Sequence, residues 1–351
     1  MHGLILSPMQ SSSKILFLAK ASLVLVFLVI IAGSVVRMSG SGMGCPDWPK
    51  CFGHYIPPTD ISELTYQEGK IFPKGKMMVY NDTLWVANEN VTASDVLIRS
   101  QWMKYPKHDY AIFNPVHTWI EYINRLLGAL SGIPVLLLFF LSFLGWIKRK
   151  DFFTFLLATA TLFMLGFEAW LGKTVVDAEL APVKITLHMF GSMAIVALLL
   201  VIISKHQHGT RFSTPISMAI KGLVFFILLL SMIQVYLGTQ VREEIDVVAK
   251  QTSDRGLWIE MLPSIFKIHR SFSIIVALSV LLLWWKGRAL LATRNSFKGV
   301  VGIVVLEILV GVVLAYSNVP APLQPMHLLL AILWFAFAWY LVLDVWRKKV
   351  S

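Results

Sequence analysis

Thr186-Leu187-His188-Met189-Phe190-Gly191-Ser192-Met193-Ala194-Ile195-Val196-Ala197-Leu198-Leu199-Leu200-Val201-Ile202-Ile203 is an almost uninterrupted apolar run with one imidazole near its start. The full run covers 184–204, and about 20 apolar residues suffice to cross the hydrocarbon core of a bilayer. Lipid offers no hydrogen-bond partners to a backbone, so a spanning segment of this kind must be helical. Seven further runs have the same character: 15–36, 117–147, 152–171, 216–239, 266–286, 298–316 and 325–346. The run at 117–147 is longer than a crossing requires and should tilt or project beyond the membrane. Composition agrees, since 56% of the 351 residues are hydrophobic and only 15% are charged, too little polar surface for a soluble domain. The expected fold is all-α: an integral membrane bundle of eight helices in contact with the lipid bilayer.

The formal net charge is +11, but this does not point to nucleic acid. The basic residues form short clusters beside the apolar runs, where they set topology. One set of connections holds Lys14 and Lys20, Lys148-Arg149-Lys150, Lys205 to Lys221, Lys286 to Lys298, and Arg347-Lys348-Lys349. The other holds the acidic segment Glu243-Glu244-Ile245-Asp246 and the turn Pro320-Ala321-Pro322. The excess of positive charge on one side predicts cytoplasmic termini, in a cell (inner) membrane, with residues 37–116 as a large external loop. That compartment permits a disulfide. The first run is longer than a signal-peptide core and lacks a clear small-residue cleavage site, so it is expected to remain as a span. Within the loop, Met77-Met78-Val79-Tyr80-Asn81-Asp82-Thr83-Leu84-Trp85-Val86 reads as a β-hairpin about an Asn-Asp turn.

Spans five to eight echo spans one to four. Gly172 precedes His188 by 16 residues (188 − 172), and Gly311 precedes His327 by 16 (327 − 311). Tyr122-Ile123-Asn124-Arg125-Leu126 aligns with Lys267-Ile268-His269-Arg270-Ser271, and Gly33-Ser34-Val35-Val36-Arg37 with Gly238-Thr239-Gln240-Val241-Arg242. The expected organisation is therefore two four-helix halves, 1–212 with the external loop and 213–351. Each half crosses the membrane an even number of times, so the repeat is parallel. The inverted repeats common in secondary transporters do not arise this way.

Four histidines lie in or at the ends of spans: His117, His188, His269 and His327. Ionisable groups inside a membrane are costly and usually functional. A lone histidine can be satisfied by another helix, but the repeated pair His188 and His327 argues for a shared role. His269 and His327 fall in the same half, and one imidazole from each of two facing helices makes a bis-histidine haem site. Zinc would need a third or fourth ligand, and none is evident there. Haem propionates are anions, and Arg37, Arg125, Arg242 and Arg270 occupy matching places as candidate partners; Arg37 and Arg242 could equally mark the membrane interface. The first half departs from symmetry. Asn124 stands where the repeat predicts histidine, Glu121 lies three residues before it on the same helix face, and His117 is one turn earlier. A buried carboxylate could accept a proton or orient water, or pair with a nearby arginine or histidine. One half reads as a fixed cofactor site and the other as a site with an adaptable position.

The segment Gly33-Ser34-Val35-Val36-Arg37-Met38-Ser39-Gly40-Ser41-Gly42-Met43-Gly44-Cys45-Pro46-Asp47-Trp48-Pro49-Lys50-Cys51, followed by Glu121-Tyr122-Ile123-Asn124-Arg125, resembles the haem A synthase family. The later histidine-bearing spans agree, and the resemblance covers all eight spans outside an insertion at about 55–110. It implies two four-helix halves and oxidation of the C8 methyl of haem O to the formyl group of haem A by successive hydroxylations. It also implies haem b in the C-terminal half on His269 and His327, the substrate haem against His188, a catalytic role for Glu121, and a disulfide between Cys45 and Cys51. As partners it implies haem O synthase and cytochrome oxidase or its assembly factors; homo-oligomers are compatible with it. Asn124 departs from the family, many members of which have a histidine ligand there. His188 alone, His117, or a water held by Asn124 would then complete the substrate site, and His188 alone is the preferred reading.

Two rivals explain part of the pattern. A di-haem b-type electron carrier accounts for the histidines and the repeat but not for Glu121 or the broken ligand symmetry. A haem-binding transport or assembly protein would hold haem O without changing it.

Overall fold

The computed structural model describes residues 8–108, 110–207 and 215–347. Lys348, Lys349 and part of the basic connection from Lys205 to Lys221 lie outside the described residues. The helices are α1 (Pro8–Met38), α2 (Pro115–Arg149), α3 (Phe152–Asp177), α4 (Pro182–His206), α5 (Met218–Gln251), α6 (Arg255–Met261), α7 (Ser264–Leu291), α8 (Asn295–Tyr316) and α9 (Leu323–Val345). All but the short α6 are long and apolar enough to cross a membrane, so the chain is a multi-pass membrane protein of the expected all-α class. Proline opens α2 and α4, where its missing N–H costs nothing and its fixed φ favours the first turn. Ahead of α2, the Asn114 side chain accepts from the backbone N–H groups of Val116 and His117 at 2.9 and 3.2 Å. This N-cap fixes the start of the helix that carries Glu121.

One expectation needs adjusting. Glu243-Glu244-Ile245-Asp246 is not a loop, because α5 runs straight through it to Gln251. Val241, Ile245 and Val248 recur on one helical face and are buried with Trp258, Leu262 and Val319. The acidic groups take the other face, and Arg242 pairs with Asp246 one turn on, at 2.5 Å. Amphipathic spacing thus prolongs a helix that hydropathy alone would end.

The chain divides into two compact units: Met1–Ile31, Leu130–Gly166 and Met189–Ser351 in one, Ala32–Ala129 and Phe167–His188 in the other. In the first, α5, α7, α8 and α9 bury Val224, Ile227, Val280, Leu283, Val300, Ile332 and Leu341 in one cluster. Trp334 on α9 donates its indole N–H to the Val300 carbonyl on α8 at 3.2 Å, giving the polar tip of a buried aromatic its partner.

The second unit holds the long loop between α1 and α2. Strands β2 (Met77–Tyr80), β3 (Thr83–Ala87) and β5 (Trp102–Lys104) form an antiparallel sheet in that order, and β1 (Ile71–Phe72) pairs with β4 (Val91–Thr92). The expected hairpin is β2–β3, with Tyr80 opposite Thr83. Asn81 and Asp82 both have positive φ, 49° and 51°, the conformation of a type I′ turn. Phe52, Leu64, Met77 and Leu84 form one small core of the loop, and Phe72, Met78, Val91 and Trp102 another.

The loop is tied to α2 by close backbone packing. A Cβ on Gly44 would stand 2.4 Å from the His117 carbonyl oxygen, and Thr118 Oγ1 donates to the Gly44 carbonyl at 2.7 Å. Backbone cannot yield as a side chain can. Gly44→Ala is therefore expected to destabilise the fold by about 1–3 kcal/mol, read as a lower thermal midpoint in detergent, whereas Gly69→Ala, whose Cβ would meet nothing within 4 Å, should cost less despite its positive φ.

Candidate functional site

Each unit contains its own polar centre within otherwise apolar helices. In the first unit, α7 contributes His269 and α9 contributes His327. A Cβ on Gly238 of α5 would lie 3.3 Å from His269 Cε1, and one on Gly311 of α8 would lie 3.2 Å from His327 Cε1. Each imidazole therefore rests against a helix backbone that glycine leaves bare. The ring centroids are 6.4 Å apart and the planes nearly perpendicular, at 85°. That spacing leaves room between the two rings for a group that one nitrogen of each would hold. Nδ1 of His269 is buried without a protein hydrogen bond. Nδ1 of His327 faces Glu307 Oε1 on α8 at 3.2 Å. The donor set suits an iron porphyrin, which asks the protein for axial ligands only. Among the described residues no three His, Cys, Asp or Glu side chains gather as a metal-ion site.

The arginines of this unit have protein partners. Arg242 pairs with Asp246, and the Arg270 guanidinium lies 5.8 Å from the centre of the Phe266 ring.

In the second unit, Glu121 of α2 is 3% exposed. Its Oε2 accepts the Cys45 backbone N–H at 2.8 Å, and its Oε1 accepts from Arg125 Nη2 at 2.5 Å. Arg125 also donates to three loop carbonyls: Asp47 and Lys50 through Nη1 at 2.6 and 3.0 Å, and Cys45 through Nη2 at 3.0 Å. One guanidinium thus gathers the segment closed by the Cys45–Cys51 disulfide around the Glu121 carboxylate. Charge-assisted bonds of this kind are strong and directional. The Asp47 side chain accepts from Gly53 N–H at 2.9 Å. Burial pushes its carboxyl above the ordinary value, against the opposing pull of the Gly53 N–H and Arg125.

Asn124 lies against Gly33 of α1, where a Cβ would stand 3.7 Å from Asn124 Oδ1, and that oxygen is buried without a hydrogen bond. His188 of α4 lies against Gly172 of α3, where a Cβ would stand 3.7 Å from Cε1. Its Nδ1 is 2.5 Å from Glu168 Oε2. Four glycine cradles therefore recur through the repeat: Gly33 for Asn124, Gly172 for His188, Gly238 for His269 and Gly311 for His327. His117 is half-buried on the first turn of α2, and its backbone serves to seat Gly44.

Sequence reasoning missed Glu168 and Glu307. Both stand four residues before a cradle glycine (172 − 168 and 311 − 307) and 20 before a histidine (188 − 168 and 327 − 307). The signal was a carboxyl group inside an apolar span, costly enough to demand a reason, repeated at one offset. Gln234 holds the matching place before Gly238 (238 − 234); its amide donates to the His269 carbonyl at 3.3 Å.

Comparison with known proteins follows the same lines. A family model described as "Cytochrome oxidase assembly protein", COX15-CtaA, matches residues 17–90 and 86–339. The chain is similar to a protein of Shouchella clausii named heme A synthase, 27% identical across 93% of this chain and 95% of that protein. A Flavobacterium johnsoniae protein of the same name is 23% identical across 92% and 94%. A third, from Shewanella oneidensis, is 28% identical over 54% of this chain, an alignment spanning 44% of that protein.

Proposed function

The chain belongs to the COX15-CtaA family of cytochrome oxidase assembly proteins, and from that premise we infer that it is a haem A synthase, an oxidoreductase that converts haem O to haem A. The reaction is oxidation of the C8 methyl of haem O to a formyl group by successive hydroxylations. The observation that carries the reading is the unequal pair of matched cradles: Gly238 and Gly311 present two imidazoles to each other, while Gly33 faces an asparagine. The half at 213–351 keeps two strong axial ligands, and the half at 1–212 keeps one.

His269 and His327 are proposed to hold a resident haem b, which when bound would pass electrons, since two strong ligands leave no open position for substrate chemistry. His188 orients the substrate haem. Glu121, held by Arg125 and by the Cys45 N–H, is the group that takes or directs protons at the methyl being oxidised. Its link to Cys45 ties that carboxylate to the disulfide loop. Arg37, Arg125, Arg242 and Arg270 are assigned to the propionates, for which Arg125 and Arg242 would have to share their existing carboxylate partners. The protein is proposed to work in the cell (inner) membrane with cytoplasmic termini and 37–116 external, close to haem O synthase and to cytochrome oxidase or its assembly factors.

Expression together with haem O synthase, followed by chromatography of extracted haems, tests the reading. Haem A should accumulate only when both proteins are present. Unchanged haem O would favour an electron carrier or a haem-binding assembly protein.

A further inference from the structure

The two buried glutamates that the reaction does not use stand in a relation repeated across the halves. Glu168 and Glu307 have side chains only 7% and 15% exposed, and each puts a carboxylate oxygen beside Nδ1 of a cradled histidine, at 2.5 and 3.2 Å. Among the described residues both oxygens of Glu168, Oε2 of Glu307, and Nδ1 of His188 and of His327 lack an aligned protein hydrogen-bond partner, so each carboxylate–imidazole pair is a close contact of two otherwise unpartnered groups. A carboxyl buried in an apolar helix at such expense is explained by the imidazole it faces. The third cradle differs, since Gln234 is neutral and its amide bonds the His269 backbone, not the ring.

We infer that Glu168 and Glu307 are positioning residues that hold the Nδ1 proton of His188 and His327, turn Nε2 of each toward the metal, and make these two imidazoles stronger electron donors than His269. A carboxylate behind a ligating histidine fixes its tautomer and raises its basicity. The two ligands proposed for the resident haem are then unequal, His327 being carboxylate-backed and His269 not. The stronger donor favours ferric over ferrous iron, so Glu307 holds the reduction potential down. At the other site, Glu168 biases the substrate haem in the same direction, toward the state from which electrons have been removed. The inference rests on the haem reading of these histidines.

The test is a spectroelectrochemical titration of the purified full-length protein and its Glu307→Gln variant. Gln is the same shape without the charge, and can still accept from Nδ1–H. The variant should retain haem with the wild-type six-coordinate spectrum. At the wild-type midpoint its ferrous-to-ferric ratio should rise about tenfold, equivalent to about 59 mV for a one-electron couple. Haem retained at an unchanged or lower potential would overturn the inference while leaving the haem reading intact. If Glu307→Gln loses its haem, titration with added haemin compares it with Glu307→Asp: tighter binding by Glu307→Asp supports a carboxylate role, and equal weakening overturns it. Wild-type protein without haem under every expression condition would remove the haem reading, and the inference with it.

Discussion

Glu121→Gln should abolish most haem A formation while leaving the resident haem and the fold in place. The side chain is buried, and both its oxygens are occupied, one by the Cys45 N–H and one by Arg125. Gln keeps an acceptor for one of these bonds and loses the negative charge. If the carboxylate handles protons during oxidation, its loss removes a general acid–base contribution of about 10²–10⁴-fold. Haem O, with any partly oxidised product, should then accumulate in the co-expression experiment. Glu121→Ala is the harsher change. It leaves the Arg125 guanidinium with its three loop carbonyls but with no group in place of the carboxylate, and breaking a buried ion pair by removing one partner costs about 3–5 kcal/mol. The alanine variant is thus expected to lose both activity and stability, and the glutamine variant activity alone. Near-normal haem A from Glu121→Gln would take the carboxylate out of the chemistry and leave it as an anchor for the disulfide loop.

The second large effect is expected at the paired imidazoles. His269→Ala and His327→Ala should each convert or empty the resident haem site, with loss of the low-spin reduced spectrum. His188→Ala should leave that spectrum unchanged and stop haem O turnover. His269 and His327 approach each other with centroids 6.4 Å apart, and each is backed by a glycine whose Cβ would crowd the ring. On the proposed assignment, removing either leaves one axial ligand in place of two. His188 belongs to the other compact unit, so its removal should not disturb the pair. An identical spectral loss in all three variants would argue against separate sites.

Much of this was legible in the sequence, for physical reasons that differ by element. The eight spans follow from apolar length alone, because lipid requires it. The repeat was visible through His188 and His327 and their glycines, yet the use of those glycines was not: a bare helix backbone under an imidazole is a tertiary contact. The continuation of α5 to Gln251 was hidden by an acidic segment whose apolar partners, Trp258, Leu262 and Val319, come from later in the chain. In the loop between α1 and α2 only the β2–β3 hairpin was readable, since β4 and β5 are two or three residues long and pair with strands distant in sequence. The sequence offers Arg125 as a propionate partner, whereas the structure engages it with carbonyls 75 to 80 residues away, a pairing fixed by how the loop closes. Glu168 and Glu307 could have been found, since the cost of a carboxyl in a span needs no coordinates to recognise.

Whether paired imidazoles hold a haem is decided by the absorption spectrum of the purified, dithionite-reduced protein beside that of His269→Ala and His327→Ala. The wild type should carry a Soret band with the reduced bands of a six-coordinate b-type haem, and both variants should lose that signature. A wild-type protein without Soret absorbance under any expression condition, or variants whose spectra match it, would contradict the account.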